Sequence, residues 1–259
     1  MDSNLDVSIF QIDLAYKDKE QNLNLIDKLS DQILSSDILF LPEMFNTSYI
    51  TNDVSIAEEM DGSTIQWMKY LAKKKSASVV GTILVKEDEF YYNRLLWVNK
   101  NGNIQYYDKC HLFTLANEDK FIKKGKNKII VNENGFNICP LICYDIRFPV
   151  FCRNQDEYDV LIFLSSWPEK RIDAWDTLLK ARSIENQCFT IGVNRVGRDL
   201  SGYFFPGHSL VFDGMGNLLL DMKNNKNTVR QVVLSKDKLL LQRRQLKFLN
   251  DRDRFFINQ

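Results

Sequence analysis

The stretch Phe-Asn-Ile-Cys-Pro-Leu-Ile-Cys, residues 136–143, is an apolar run with the length of a buried strand and ends on a cysteine. A second apolar run follows at Val160–Ser165, with room for a short helix between the two. The helical pattern Ala174–Asn186 and the strand-like run Cys188–Asn194 come next. Strands that alternate with helical patterns in this way favour a layered α/β fold.

The amino-terminal part of the chain shows the same alternation. Val7–Leu14 is strand-like, apolar residues recur at helical spacing from Leu23 to Ile33, and the apolar run Ile38–Leu41 follows. A second helix is predicted at about Ser63–Lys74. This region therefore opens as strand, helix and strand, the order expected of an α/β protein.

Turn residues between apolar runs predict two hairpins. Asn101-Gly102 is typical of a two-residue turn, and Asp213–Asn217 separates the strand candidates Ser209–Phe212 and Leu218–Asp221. The strands around the first turn are expected at Val79–Val85, Phe90–Asn99 and Ile104–Tyr107. Antiparallel pairs thus join the parallel ones in a mixed fold.

The composition is that of a globular protein. The 259 residues are 44% hydrophobic and 26% charged, and 34 basic residues balance 34 acidic ones. Without an internal repeat or a low-complexity linker, residues 1–259 are predicted to form one domain. The balanced charge does not favour a nucleic-acid partner. With no leader pattern and no apolar run of about 20 residues, we expect a cytoplasmic protein and no membrane partner.

The five cysteines are an odd number, which does not favour a disulfide framework in a chain without a secretion signal. A metal site is not favoured either, because the only histidines are His111 and His208 and no Cys-x-x-Cys pair occurs. Cys139 and Cys143 are four residues apart, but they lie in a strand-like run. We expect neither a metal nor a cofactor.

Three polar residues each end an apolar, strand-like run: Glu43, Lys109 and Cys143. Strand ends are where layered α/β folds gather reactive groups. Taken singly, each has an ordinary explanation, as a solvated turn residue, a surface charge and a small core residue. Together they are complementary, since a thiol needs a base or a nearby positive charge to become a nucleophile.

The sequence around these residues resembles the nitrilase superfamily, whose members carry a Glu, Lys, Cys triad in that chain order. The resemblance covers nearly the whole chain and is greatest toward the ω-amidase branch. The matching segments are Leu41–Phe45, Tyr107–Phe113, Ile142–Pro149, Ser166–Pro168, Ala181–Gln187 and Gly192–Gly197. It implies a four-layer α-β-β-α sandwich and a homodimer or larger homo-oligomer.

The ω-amidase resemblance implies a small-molecule substrate, the terminal amide of a short α-keto acid such as 2-oxoglutaramate or 2-oxosuccinamate. We expect Cys143 to attack the amide carbon and form a thioester, with Glu43 carrying the proton. Lys109 and the backbone N–H of Tyr144 are expected to hold the oxyanion. No step of this scheme requires a metal.

Glu118 is a fourth catalytic candidate. It lies seven residues before Gly125, the spacing at which the superfamily's second glutamate precedes its own glycine. The resemblance implies a positioning role beside Lys109. Apart from that spacing, Glu118 would be an ordinary solvated loop charge.

A substrate carboxylate would be bound best by an arginine, because a planar guanidinium pairs with it bidentately. Arg147, Arg171 and Arg195 are the candidates, with Arg171 preferred, and each is also explained as a structural ion pair. Three aromatic residues either wall the substrate pocket or belong to the core: Phe45, Tyr144 and Trp167.

Some positions depart from the superfamily pattern. Cys110 stands where an arginine or isoleucine is more familiar, and Ala174 replaces a frequent histidine. The bulky segment Tyr203–Ser209 leaves open a related amidase with a larger pocket, such as one for deaminated glutathione. Nitrile or N-carbamoyl hydrolysis and a noncatalytic binding protein of the same fold are further alternatives, and the intact triad counts against the last.

Overall fold

The computed structural model describes residues 4–50 and 52–257, in which strands and helices alternate. The helices are α1 (Lys19–Ser30), α2 (Ser63–Lys75), α3 (Pro149–Cys152), α4 (Ile172–Asn186) and α5 (Lys236–Gln245). The strands are β1 (Asn4–Gln11), β2 (Ile38–Phe40), β3 (Ser78–Glu87), β4 (Phe90–Val98), β5 (Ile104–Asp108), β6 (Val131–Glu133), β7 (Phe136–Ile142), β8 (Val160–Ser165), β9 (Phe189–Asn194), β10 (Val196–Arg198), β11 (Phe204–Pro206), β12 (Ser209–Phe212), β13 (Leu218–Met222) and β14 (Thr228–Ser235).

Two six-stranded mixed sheets form the centre of the protein. Their strand orders are β14-β1-β2-β3-β4-β5 and β13-β12-β9-β8-β7-β6, while β10 and β11 make a separate ribbon. Strands β1, β2 and β3 are parallel, as are β7, β8 and β9. Glu43 lies three residues after the end of β2, and Cys143 directly follows β7, so the parallel part of each sheet leads to one candidate residue.

Side-chain alternation explains the layers, because successive residues of a strand point to opposite faces of the sheet. In β2, Ile38 belongs to the core between the sheets, whereas its neighbour Leu39 packs in the cluster that includes α1 and α2. On the second sheet, Gly192 of β9 lies so close to Trp175 and Leu179 of α4 that a Cβ would clash with both. The predicted α-β-β-α sandwich of one domain is confirmed.

The predicted hairpins are confirmed, but the first predicted strand and the first predicted helix both end earlier than expected. Strand β1 ends at Gln11 rather than Leu14, because the next residue, Ile12, accepts a hydrogen bond from Val196 N (3.0 Å) and the chain leaves the sheet. Helix α1 ends at Ser30, before Ile33, which is buried in the turn that follows. Strand β14 and helix α5 have weak apolar patterns and were not predicted. Within the described residues, no helix is both long and apolar enough to span a bilayer.

Candidate active site

The segments after β2 and β5 place two candidate charges in the interior. Behind β2 the chain bends at Met44, with φ of 48°, and Met44 N donates to Thr82 Oγ1 (2.8 Å). After β5, Lys109 N donates to Asn93 O of β4 (3.0 Å), and Lys109 O accepts from Gly125 N (2.9 Å). A Cβ on Gly125 would come within 2.1 Å of a backbone oxygen, which explains the glycine at this position.

Four buried side chains meet at the bottom of the site and are called the charge cluster: Glu43, Asn93, Lys109 and Glu118. Lys109 Nζ lies 3.0 Å from Glu43 Oε1 and 3.1 and 2.9 Å from Glu118 Oε1 and Oε2. Asn93 Nδ2 donates to Glu43 Oε1 (2.8 Å) and Glu118 Oε1 (3.2 Å). Each of the four side chains is at most 1% exposed, so their charges interact in a poorly screened environment.

Backbone donors complete the coordination of both carboxylates. Ser166 N donates to Glu43 Oε2 (3.0 Å), and Phe113 N donates to Glu118 Oε2 (2.6 Å). Each carboxylate oxygen therefore has at least one hydrogen-bond donor. Such saturation lets a buried ionised group persist, because an unpaired buried charge is costly.

Cys143 lies at the sharp junction between β7 and a 3-10 turn, residues Cys143–Arg147. Its φ is 41°, in the left-handed region that non-glycine residues seldom occupy. The buried Asp145 braces this junction, accepting from Ile142 N (2.9 Å) and from Tyr107 Oη (2.8 Å). Ser165 Oγ donates to Cys143 Sγ (3.0 Å). The strained backbone is thus held by side-chain hydrogen bonds.

Burial decides the resting protonation of the thiol. Burial and the charge of Glu43 raise the pKa of Cys143 well above its usual range, against the opposing charge of Lys109. Burial also raises the pKa of Glu43, with Glu118 adding to the effect and Lys109 opposing it. The pKa of Lys109 is raised because the two carboxylates outweigh its burial. Cys143 therefore rests as a thiol beside a carboxylate of increased basicity.

A cavity of about 830 Å³ opens above this site, and Cys143 contributes to its lining. Tyr144, Arg147, Trp167 and Arg171 line the same cavity. The guanidinium of Arg147 lies 4.9 Å from the ring centre of Trp167, and that of Arg171 lies 5.1 Å from the ring centre of Phe113. Arg147 and Arg171 are called the arginine pair below.

Comparison with known proteins identifies the family. The family model for carbon-nitrogen hydrolases matches residues 6–239. The chain is 34% identical to the omega-amidase YafV of Yersinia enterocolitica over 98% of this chain and 99% of the relative. It is 34% identical to the 2-oxoglutaramate amidase of Bacillus subtilis over 86% of this chain and 88% of the relative.

The chain belongs to the carbon-nitrogen hydrolase family. A solved structure agrees, that of a CN-hydrolase superfamily protein of Xanthomonas campestris with an arsenic adduct in its active site. It superposes with a TM-score of 0.96 at 34% identity and covers 98% of this chain and 99% of its own. The predicted nitrilase-superfamily membership is confirmed, and so is the prediction of a hydrolase for non-peptide carbon–nitrogen bonds in linear amides.

Two candidates for the substrate pocket of this carbon-nitrogen hydrolase lie elsewhere. Phe45 does not wall the cavity: its side chain has no exposed surface and packs 5.8 Å from the ring centre of Trp67, so its core interpretation holds. Arg195 is also fully buried and binds Asp13 Oδ1 (3.0 Å) and Leu14 O (3.1 Å). The structural explanation therefore accounts for both residues.

The other cysteines of the carbon-nitrogen hydrolase differ from Cys143 in surroundings. All five are free thiols, and the remaining four are buried. Burial raises the pKa of Cys110, Cys139 and Cys188 to about 12 each. Within the described ranges, no cluster of three or more His, Cys, Asp and Glu side chains is arranged to hold a metal ion. Cys143 therefore differs from the other four cysteines in lining the cavity, and not in having a lower thiol pKa.

The sequence did not predict the roles of two residues that organise the site. Asn93 bridges both carboxylates from the middle of β4, and the backbone of Ser166 binds Glu43 from 123 positions away. Asn93 could have been noticed in the sequence as a polar residue within the predicted strand Phe90–Asn99. The role of Ser166 could not have been predicted from the residue type, because its backbone N–H makes the contact.

Proposed function

We propose that the protein hydrolyses the terminal amide of short α-keto acids, namely 2-oxoglutaramate and 2-oxosuccinamate, through a thioester on Cys143. The observation that carries the substrate class is the arginine pair. Arg147 and Arg171 line the cavity to which Cys143 contributes, and neither forms an ion pair with another described residue. An unpaired guanidinium beside a reactive group is well suited to bind a substrate carboxylate.

The first half of the reaction forms the thioester. Cys143 Sγ attacks the amide carbon while Glu43 takes the thiol proton, and the carbonyl oxygen becomes an oxyanion. The charge of Lys109 and the backbone N–H of Tyr144 stabilise that oxyanion. As the tetrahedral intermediate collapses, the C–N bond breaks and Glu43 returns the proton to the nitrogen, which leaves as ammonia.

The second half hydrolyses the thioester. Glu43, again a carboxylate, takes a proton from water as its oxygen attacks the acyl carbon. The C–S bond breaks, Glu43 protonates the departing sulfur, and the acid product leaves. The support for this double use of Glu43 is its raised pKa, because a base of higher pKa is better matched to a thiol and to water near neutral pH. Glu118 and Asn93 hold Glu43 and Lys109 in place.

Relatives support the substrate class independently of the geometry. Those named omega-amidase and 2-oxoglutaramate amidase align with 34% identity over most of this chain. A second candidate is an amidase for larger substrates such as deaminated glutathione. It is favoured by the cavity volume of about 830 Å³, which lies high in the roughly 300–1,000 Å³ range of small-molecule sites.

Ammonia release from a substrate panel tests the proposal. The panel contains 2-oxoglutaramate, 2-oxosuccinamate, glutamine, deaminated glutathione, a nitrile and an N-carbamoyl amino acid. We expect the α-keto ω-amides to have the highest kcat/KM, and mass spectrometry of rapidly quenched enzyme to find the acyl group on Cys143. Preference for deaminated glutathione would support the second candidate, and acylation of another residue would contradict the mechanism.

We further propose that residues 1–259 form one carbon-nitrogen hydrolase domain that works in the cytoplasm as a homodimer or larger homo-oligomer. Exposed apolar side chains on the outer hairpin, Met215, Leu218 and Leu219, support the oligomer because association would cover them. Light scattering on the purified protein measures the assembly, and a monomer at micromolar concentration would contradict it.

A further inference from the structure

Tyr49 has a buried hydroxyl group next to the charge cluster. Its side chain lines the cavity of Cys143, and its ring centre lies 5.5 Å from Lys109 Nζ. Within residues 4–50 and 52–257, no protein atom forms a hydrogen bond with the Tyr49 hydroxyl oxygen, which is shielded from solvent. Buried hydroxyl groups nearly always have a partner, so an exception beside a reactive group calls for an explanation.

The N–H groups of Lys109 are already engaged with carboxylates, so an oxyanion in this site needs another hydrogen-bond donor. An ammonium group has three N–H donors, and three carboxylate oxygens of Glu43 and Glu118 lie within 3.1 Å of this one. Lys109 thus stabilises negative charge in the cavity by its own charge, while its N–H groups point at carboxylates. A developing oxyanion gains most from donors that are not already engaged.

Tyr49 keeps its proton under all ordinary conditions. Burial and the negative charges of Glu118 and Glu43 raise the pKa of its phenol well above the usual value, against the opposing charge of Lys109. A neutral phenol donates one hydrogen bond, and here that donor is unused among the described residues.

We propose that the Tyr49 hydroxyl donates a hydrogen bond to the carbonyl oxygen of the scissile amide and strengthens it as that oxygen becomes the oxyanion. Tyr49 would then be a catalytic residue and the second neutral donor, beside the backbone N–H of Tyr144. The inference rests on the proposed thioester chemistry at Cys143. In this scheme Lys109 stabilises the oxyanion by its positive charge, and Tyr49 donates a hydrogen bond to it.

Tyr49→Phe removes the hydroxyl group and keeps the ring. We expect kcat on 2-oxoglutaramate to fall about 10- to 100-fold with KM changed much less, because the bond matters most in the transition state. The melting temperature should stay the same or rise, since no described protein group loses a partner. The matched control is Tyr158→Phe, which removes a buried hydroxyl that donates to Cys152 O, away from the cavity. It should lower the melting temperature and leave kcat unchanged.

A thioamide analogue of the substrate locates the bond, because sulfur accepts hydrogen bonds more weakly than oxygen. The ratio of wild-type to Tyr49→Phe kcat should shrink toward one on the thioamide. An equal ratio on both substrates, a wild-type kcat in the variant, a change confined to KM, or a large loss of stability would each overturn the inference. Inactivity of the wild type on every amide, or full activity of Cys143→Ala, would instead refute the proposed function.

Discussion

The charge cluster and the arginine pair lie in the same site and are held in opposite ways. Glu43, Lys109 and Glu118 are at most 1% exposed, and their polar groups are engaged with one another, with Asn93 and with two backbone N–H groups. Arg147 and Arg171 are supported by the rings of Trp167 and Phe113 and have no ion pair in the described part of the chain.

Under the proposed function, this difference separates the residues that carry out the reaction from those that select the substrate. In the charge cluster, replacing Lys109 leaves two buried carboxylates without their cation, which costs about 3–5 kcal/mol, so stability itself constrains this residue. Replacing either residue of the arginine pair leaves no charged group of the described residues without its ion-pair partner. Under the proposed function, the arginines that bind the substrate can therefore be replaced without unfolding the protein, whereas replacement of Lys109 lowers its stability.

The largest expected effect comes from Cys143→Ala, which separates reactivity from stability at one position. We expect turnover to fall by about 10⁴-fold or more, because the nucleophile and the thioester are lost together. The melting temperature should change little, since the thiol is neutral and the side chain that binds it is the hydroxyl group of Ser165. Ammonia release and thermal unfolding measure the two quantities. Residual turnover within tenfold of the wild type would remove Cys143 from the mechanism.

Lys109→Met tests whether the charge cluster couples activity to stability. Turnover should fall about 10²–10³-fold as the oxyanion loses its counter-charge. The free energy of unfolding should fall by about 3–5 kcal/mol at neutral pH, because Glu43 and Glu118 then face each other without a cation. Without Lys109 the pKa of Glu43 would lie still further above that of the unfolded chain, so the deficit should shrink as pH falls through that value. Denaturant unfolding at several pH values measures this loss of stability. A wild-type free energy of unfolding in Lys109→Met would contradict the coupling of activity to stability in the charge cluster.

The three proposed catalytic residues could be located from sequence because each directly follows a local pattern. Glu43, Lys109 and Cys143 end apolar runs, and the family motifs surround each of them. The layers followed likewise from alternating strands and helices. These features depend on neighbours within a few residues, which a single sequence displays.

What the sequence did not reveal depends on contacts between distant segments. Strand β14 pairs with β1 across more than 200 residues, and Ser166 binds Glu43 across 123. The sequence left Phe45 equally compatible with a pocket wall and with the core, and its side chain packs on Trp67 in the core. The two arginines could not be separated from Arg195 by residue type, because only the fold decides which guanidinium reaches a cavity.

Replacing the arginine pair should produce a smaller and more selective effect than either change above. Arg147→Met or Arg171→Met is expected to lower kcat/KM for 2-oxoglutaramate about 10- to 100-fold, the worth of a charged hydrogen bond to the carboxylate. Hydrolysis of a neutral amide of similar length should change little, and so should the melting temperature. Equal losses on both substrates would contradict carboxylate binding. If only one variant loses the preference, that arginine is the anchor.

Glu118→Gln should give the smallest effect, a displacement of the pH profile. Glu43 must be ionised to accept the thiol proton, so kcat/KM falls as pH drops through the pKa of Glu43. The charge of Glu118 contributes to raising that pKa. Removing the charge should lower the pKa of Glu43 and move the acid limb of the profile to lower pH, whatever the loss in maximal rate. Glu118→Asp keeps the charge and should leave the limb close to its wild-type position. A limb that stays in place in Glu118→Gln, or moves upward, would mean that Glu118 does not act on Glu43 through its charge.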